Sequence, residues 1–186
     1  SALRAPDDAL DSRYQLRIAA LATTDSLTEL PNRRGFDILA EQALQEAQRD
    51  SSPLCAVLLD LDNFKQINDT YGHLQGDKVL QFVANLLMDS VRPQDIAARI
   101  GGEEFVLMLA NTSSDAAYQV AERIRLNLSS FDNASSGGQL PEPITISMGV
   151  FTATSAAVAA ETCVENADKA MYEAKETGRN RVVAFK

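Results

Sequence analysis

Apolar positions along the chain recur with two different periods, and each change of period marks an element. Between residues 8 and 24, Leu10, Tyr14, Arg17/Ile18 and Leu21 fall on one stripe and predict a helical lead-in. Two heptads do not define a coiled coil, so the stripe fits both a helix that pairs with a second copy and a plain surface helix. Asp25 to Arg34 breaks the pattern, and Pro31-Asn32 opens a helix from about Arg33 to Arg49, ended by Ser51-Ser52-Pro53. Leu54 to Leu59 is a continuous apolar run ending in Asp60, the pattern of a central strand covered on both faces. A short polar helix or turn is predicted over Asp62 to Asp69, a break at Gly72-His73, and an amphipathic helix from Gly76 to Met88. Ile96 to Ile100 and Phe105 to Leu109 predict a β-hairpin turned by Gly101-Gly102-Glu103-Glu104-Phe105, since glycine pairs accept positive φ at little cost. A helix over Ser114 to Leu128, a Ser-, Gly- and Pro-rich loop over Ser129 to Pro143, a strand over Ile144 to Phe151, a helix over Glu161 to Glu176 and a strand over Val182 to Phe185 complete the chain. From Leu54 onward the order is β-α-α-β-β-α-β-α-β. It predicts an α+β, sandwich-like fold with a mixed central sheet of about five strands flanked by helices.

Composition narrows the class. The 186 residues suit one domain, 25–186, with the 1–24 lead-in as an appendage. A 45% hydrophobic and 23% charged content is that of an ordinary globular protein. No apolar run approaches the roughly 20 residues a membrane helix needs, and no signal-peptide pattern is present. A start at Ser1-Ala2-Leu3 reads as a fragment boundary, so an upstream sensory or membrane segment and a cytoplasmic location are expected. Cys55 and Cys163 lie in apolar settings without metal-ligand spacing and are expected as buried free thiols. The net charge of −9 disfavours nonspecific binding to nucleic acid or anionic lipid. A phosphate ligand would need a local basic cluster or a metal.

Turn chemistry does not explain two adjacent carboxylates at a hairpin tip. Glu103 and Glu104 repel each other, and no basic residue follows within three positions. A solvated acidic turn and a divalent-cation site both fit the pentad alone. Asp60 closes a buried strand; if that strand neighbours the hairpin, Asp60, Glu103 and the Leu61 carbonyl meet at one sheet edge, where ligands of such folds bind. Asp62 is the weaker ligand candidate. Lys65, Lys175 and Arg179 are the available cations; Lys175 and Arg179, four apart, share a helix face near its C-terminus, which also suits charge capping before Gly178. Asn68 and Asp77 together match the donors and acceptors of a guanine edge, although Asp77 also suits a first helical turn. His73, the single histidine, fits either a base or a structural hydrogen-bonding residue at a turn.

Taken together, these stretches resemble the GGDEF family of diguanylate cyclases. The signature reads Gly101-Gly102-Glu103-Glu104-Phe105, with glutamate at the variable third place. Asp25-Ser26-Leu27-Thr28-Glu29-Leu30-Pro31-Asn32-Arg33-Arg34, Asp60-Leu61-Asp62-Asn63-Phe64-Lys65 through Asn68-Asp69, Gly72-His73, Gly76-Asp77, Thr145 to Val150, Tyr172-Glu173-Ala174-Lys175 and Gly178-Arg179-Asn180-Arg181 follow the family order over residues 25–186. Ile100, where an aromatic is usual, is expected to change hairpin packing only. The resemblance implies a fold akin to nucleotide cyclases and polymerase palm domains. It also implies condensation of two GTP to cyclic di-GMP with release of two pyrophosphates, in a homodimer holding one GTP per subunit. Two Mg²⁺ per site, with Mn²⁺ as an alternative, are implied, bound by Asp60, Glu103 and the Leu61 carbonyl. Asn68 and Asp77 would read guanine, with His73 lining the pocket; Lys175 and Arg179 would hold the β- and γ-phosphates; Phe64 and Lys65 would form the phosphate turn. Glu104 would stand near the reacting hydroxyl or the second metal, and Lys65 joins Asp60, Glu103 and Glu104 as a catalytic candidate.

Arg92-Pro93-Gln94-Asp95 matches the family's R-x-x-D inhibitory motif at the expected offset before Gly101, with Arg123 as a partner for bound cyclic di-GMP. A surface ion pair is the plainer reading of that tetrapeptide. Two other classes compete with the enzyme: a silent module that senses GTP or cyclic di-GMP, and a dimerisation unit whose acidic hairpin is incidental.

Overall fold

A computed structural model describes residues 9–15, 22–130, 143–154 and 158–186. Most of the expected loop over 129–143 and residues 16–21 of the lead-in lie outside the described residues. Helix α1, residues 9–15, carries Leu10 and Tyr14 exposed, each at 63%. The rest of the predicted stripe is not among the described residues.

Five strands form one sheet: β1 (Leu54–Leu61), β2 (Ile96–Arg99), β3 (Glu104–Ala110), β4 (Ile146–Ala153) and β5 (Arg181–Ala184), in the order β2-β3-β1-β4-β5. All neighbours are antiparallel except β4 and β5, which makes the sheet mixed as expected. β1 is the middle strand and every residue of it is buried, which accounts for its unbroken apolar run. Its alternate side chains feed two cores. Cys55, Val57, Leu59 and Leu61 face α4 (His73–Ser90) and α5 (Ser114–Ser129), whereas Leu54, Ala56 and Leu58 face α2 (Arg33–Asp50) and α6 (Ala160–Glu176). Each fully buried leucine contributes about 2 kcal/mol through removal from water.

Helix ends follow local chemistry. The Asn32 side chain caps α2 by accepting from the Gly35 amide at 3.0 Å, and the Ser113 hydroxyl caps α5 by accepting from Ala116 at 3.2 Å. α3 (Phe64–Tyr71) has no side-chain cap at its start. The helix predicted from Gly76 begins at His73 instead, because Gly72 alone makes the break at φ 89° and ψ 161°. Gly76 lies inside α4, where a β-carbon would stand 1.8 Å from Asn68 Oδ1, so it permits the close approach of α3 and α4. The hairpin glycines correct another expectation: the left-handed glycines among the described residues are Gly72 and Gly178, and Gly101 and Gly102 make their turn without positive φ.

Both cysteines are buried and free. Burial pushes the Cys163 thiol up to about 11, and the Cys55 Sγ donates to the Thr112 carbonyl at 3.0 Å. Neither is a reactive thiolate near neutral pH. Among the described residues, no helix is long and apolar enough to cross a membrane.

The layer of α6 sits on β4 through Gly149. A β-carbon there would lie 2.0 Å from the Ala167 carbonyl oxygen and 2.3 Å from the Met171 nitrogen, both backbone atoms that cannot turn aside. Gly149→Ala is expected to lower the unfolding free energy by about 3 kcal/mol, read as a fall in denaturant midpoint with an unchanged slope. An unchanged midpoint would mean that α6 lifts freely from the sheet.

Candidate functional site

The sheet's register brings the acidic residues together. Asp60 pairs with Glu104 of β3 on one side and with Ser147 of β4 on the other, and the Leu61 amide donates to the Glu103 carbonyl at 3.3 Å. Asp60 points to the α6 layer, where Lys175 on the last turn of that helix donates to its Oδ2. Oδ1 of Asp60 is buried without a partner, in a side chain only 8% exposed. A buried carboxylate oxygen without a donor is costly unless something positive fills the gap.

Glu103 responds to that neighbourhood. Burial first, then the charge and hydrogen bond of Asp60, push its carboxyl up to about 7, with Lys175 pulling the other way. Glu104 is raised too, by burial and then by Asp60 and Asp168, against the pull of Lys175 and Arg33. A divalent cation would relieve this mutual repulsion. Among the described residues no group of three or more His, Cys, Asp or Glu side chains is placed to hold a metal. The Asp60 and Glu103 carboxylates could hold Mg²⁺ only together with carbonyl, phosphate and water oxygens, which is how that ion is usually held beside a nucleotide. The residues present fit such an ion.

Asp62 is not part of that set. Its buried carboxylate accepts from Ser147 Oγ at 2.6 Å, Thr145 Oγ1 at 2.7 Å and the Asn180 amide at 3.0 Å. Phe64 packs into the core and Lys65 is exposed, both on the uncapped first turn of α3, whose free amides suit a phosphate. Asn68 on α3 presents a second buried acceptor without a partner, its Oδ1, next to Gly76 of α4. Asp77 follows in the second turn of α4, half-buried and with no side-chain bond among the described residues. His73 starts α4, exposed, and behaves as a helix-opening surface residue.

Lys175 and Arg179 do not share a helix face as the spacing suggests. α6 ends at Glu176, and Gly178, Arg179 and Asn180 turn in the left-handed region at φ 126°, 63° and 45°. For Arg179 this conformation costs about 1 kcal/mol. It projects the side chain off the helix end, and the guanidinium has no partner among the described residues.

The R-x-x-D residues are engaged with each other. Arg92 forks onto Asp95 from Nε at 3.1 Å and Nη2 at 3.0 Å, and Asp95 also accepts from the Arg92 and Ala110 amides. Arg92 Nη2 reaches the Ala110 carbonyl and Thr112 Oγ1 as well, so the pair closes the turn before β2. Arg123 on α5 donates to the Ser90 carbonyl at 3.2 Å, which brings it to the same edge. The tetrapeptide is a brace in this structure, and a ligand would have to displace these bonds.

Sequence reasoning missed Arg99. Its Nη1 bonds both carboxylate oxygens of Asp25 at 3.2 and 3.1 Å, while Nη2 and Nε hold the Gly102 carbonyl at 2.7 and 3.2 Å. Burial raises the Asp25 carboxyl, but the Thr28 hydroxyl and amide and the Arg99 guanidinium outweigh it and leave it lowered. Arg99 thus ties the segment before α2 to the signature turn. Only the arginine two residues before the glycines hinted at this.

A family model described as "Diguanylate cyclase, GGDEF domain" matches residues 22–181. Probable diguanylate cyclase DgcT of Escherichia coli is 40% identical over 88% of this chain and 36% of that protein. The GGDEF domain of DgcB from Caulobacter crescentus, solved with c-di-GMP, superposes with a TM-score of 0.83 at 36% identity, covering 88% of this chain and 93% of that one. The active GGEEF domain of a diguanylate cyclase from Vibrio cholerae superposes with a TM-score of 0.76 at 34% identity, covering 83% and 97%. The chain spans between 24% and 46% of the length of the first three curated relatives it matches.

Glu103 sets a pH dependence whose sign follows from its raised value. The folded protein holds that proton more tightly than the unfolded chain, so the stability it confers is full below the ordinary glutamate range near 4.5 and is lost as pH rises through about 7. Glu103→Gln is expected to flatten this fall in metal-free thermal melts between pH 5 and 8. Binding of Mg²⁺ should strengthen over the same window, because the carboxylate must be bare to ligate. Identical pH profiles for the two proteins would show that Glu103 titrates as a free surface group.

Proposed function

Because the chain belongs to the GGDEF-domain diguanylate cyclase family, we propose that it condenses two GTP into cyclic di-GMP with release of two pyrophosphates. One observation carries the reading: a buried, donor-less carboxylate oxygen on Asp60 and a glutamate raised toward neutrality share the sheet end next to an uncapped helix start. This combination has use for a cation and a phosphate chain at once. The Vibrio cholerae relative supports glutamate at the third signature place, being an active GGEEF domain.

In this reading Asp60, Glu103 and the Leu61 carbonyl hold Mg²⁺, two ions per site, with Mn²⁺ as an alternative. When bound there, such ions would lower the pKa of the attacking hydroxyl and stabilise the charge on the departing pyrophosphate. The α3 amides at Phe64 and Lys65 cradle phosphates, and Lys175 exchanges its Asp60 contact for the β- and γ-phosphates together with Arg179. Asn68 Oδ1, buried and unpartnered, accepts a donor from the guanine edge, and Asp77 takes the neighbouring donor. Guanine is selected over adenine because adenine offers no such donor pair.

Each 3′-hydroxyl oxygen bonds to the α-phosphorus of the other nucleotide while the bond from that phosphorus to the bridging oxygen breaks. The hydroxyl proton passes to the Glu104 carboxylate, whose raised pKa suits a proton acceptor. One chain positions one GTP, so two chains must face each other, and the homodimer supplies proximity. Arg92, Asp95 and Arg123 form the product-inhibition site, opened when cyclic di-GMP displaces the Arg92–Asp95 fork. A GTP-consuming domain of this kind works in the cytoplasm.

Incubation with GTP and Mg²⁺ at low and high protein concentration should give cyclic di-GMP at a specific rate that rises with concentration. Glu103→Ala should lower that rate by about 1,000-fold while leaving product binding intact. GTP binding without product at any concentration, including in chains joined by an added dimerising coiled coil, would favour the sensor reading. Arg92→Ala should raise the cyclic di-GMP needed for half-inhibition about tenfold; unaltered inhibition would return Arg92 and Asp95 to a purely structural role.

A further inference from the structure

We propose that Asp62 and Arg125 are positioning residues for Arg179, and that they set the affinity of the site for the nucleotide's phosphate tail. The inference rests on the reading of Arg179 as a phosphate ligand.

The turn that carries Arg179 has no regular structure of its own to hold it. Three consecutive residues stand in the left-handed region, two of them not glycine. The residue after Arg179 is gripped from both layers of the fold. From the α6 side, Asp62 Oδ2 accepts the Asn180 amide at 3.0 Å. From α5, Arg125 Nη1 donates to Asn180 Oδ1 at 3.0 Å and reaches its carbonyl at 3.5 Å. Each anchor is itself held. Asp62 is fixed by Thr145 Oγ1 and Ser147 Oγ at the start of β4, and Arg125 is forked by Glu122 at 2.8 and 2.9 Å. Arg179 contributes only backbone to this lock: its amide donates to the Ala174 carbonyl at 2.9 Å and its carbonyl accepts from Arg181 Nε at 3.0 Å. The main chain is pinned on either side, and the guanidinium is left for a ligand.

Asp62 also lies two residues beyond Asp60, in the turn just past the end of β1. The carboxylate aimed at the cation and the guanidinium aimed at the phosphates are therefore indexed to one another through a single buried residue. Pre-ordering a cation in this way saves the cost of ordering it when the ligand arrives. The acceptor property of Asp62 is what the lock requires. An asparagine can turn its oxygen to Asn180 and Thr145 and give its Nδ2 to the Ser147 hydroxyl, so it would preserve the lock; an alanine cannot. A metal-ligand role for Asp62 would instead make asparagine about as damaging as alanine, because an amide is a poor substitute for a ligating carboxylate.

The test is calorimetric titration of the whole chain, in Mg²⁺, with 3′-deoxy-GTP, which cannot condense, and with GMP. Arg179→Ala should weaken 3′-deoxy-GTP by about tenfold and leave GMP nearly unchanged. Arg125→Ala, which removes the α5 anchor together with its Glu122 pair, should reproduce most of that loss, and the double variant should add little to it. Asp62→Ala should behave like Arg125→Ala, and Asp62→Asn should remain near the parent protein. If Arg179→Ala changes neither affinity, the phosphate reading of that arginine fails and this inference with it. If Arg179→Ala weakens the triphosphate but Arg125→Ala does not, or weakens both ligands alike, the positioning role alone is overturned. A loss in Asp62→Asn equal to that in Asp62→Ala would likewise overturn it.

Discussion

Asp60 sits one residue before the end of the middle strand, with one oxygen on the Lys175 ammonium and the other buried without a donor. A charge removed from water in this way costs several kcal/mol unless its surroundings answer it. It cannot swing out, because β1 is flanked on both edges and all its residues are buried. The surroundings have been arranged around it instead. Lys175 comes down from α6, Glu103 is driven toward its neutral form, and Glu104 is raised beside it. A second cation would answer the remaining oxygen and the two glutamates together.

Asn68 Oδ1 repeats the theme on α3. Among the described residues it and Asp60 Oδ1 are the buried side-chain atoms without a partner, in a fold that otherwise satisfies its polar groups. Native proteins leave few such atoms. Gly76 keeps the Asn68 amide where it is, since a β-carbon there would stand 1.8 Å from Oδ1 and push it aside.

The fold was legible because its signals are local. An unbroken apolar run belongs to a strand covered on both sides, and β1 is that strand; periodic stripes belong to helices that cover one face, as α2, α4, α5 and α6 do. The acidic cluster was legible too, because Asp60 and the signature must meet if β1 and β3 are neighbours, and they pair directly. What stayed hidden was conformation and long-range pairing. Spacing put Lys175 and Arg179 on one helical face; the helix end before Gly178 was legible, but nothing local reveals that Arg179 beyond it turns left-handed. Glycines at 101 and 102 suggested positive φ, whereas the turn closes without it. The partners of Asp62, Arg99 and Arg125 lie 83 to 118, 74 and 55 residues away, beyond any local pattern. Arg92 and Asp95 are near neighbours, yet only packing decides that they hold each other.

Gly149 carries a broader consequence. Because it lets α6 rest on β4 backbone to backbone, Lys175, Asp60 and the β3 side of the hairpin are joined in one continuous packed block. Such a block offers little internal travel for an outside signal to switch its chemistry. On the proposed two-chain reaction, control falls to how often and in what orientation two blocks meet. A unit governed by encounter alone can be joined to almost any device that moves two copies together, with no redesign of its interior. On that reading, the close packing at a single glycine suits the domain to exchange among inputs.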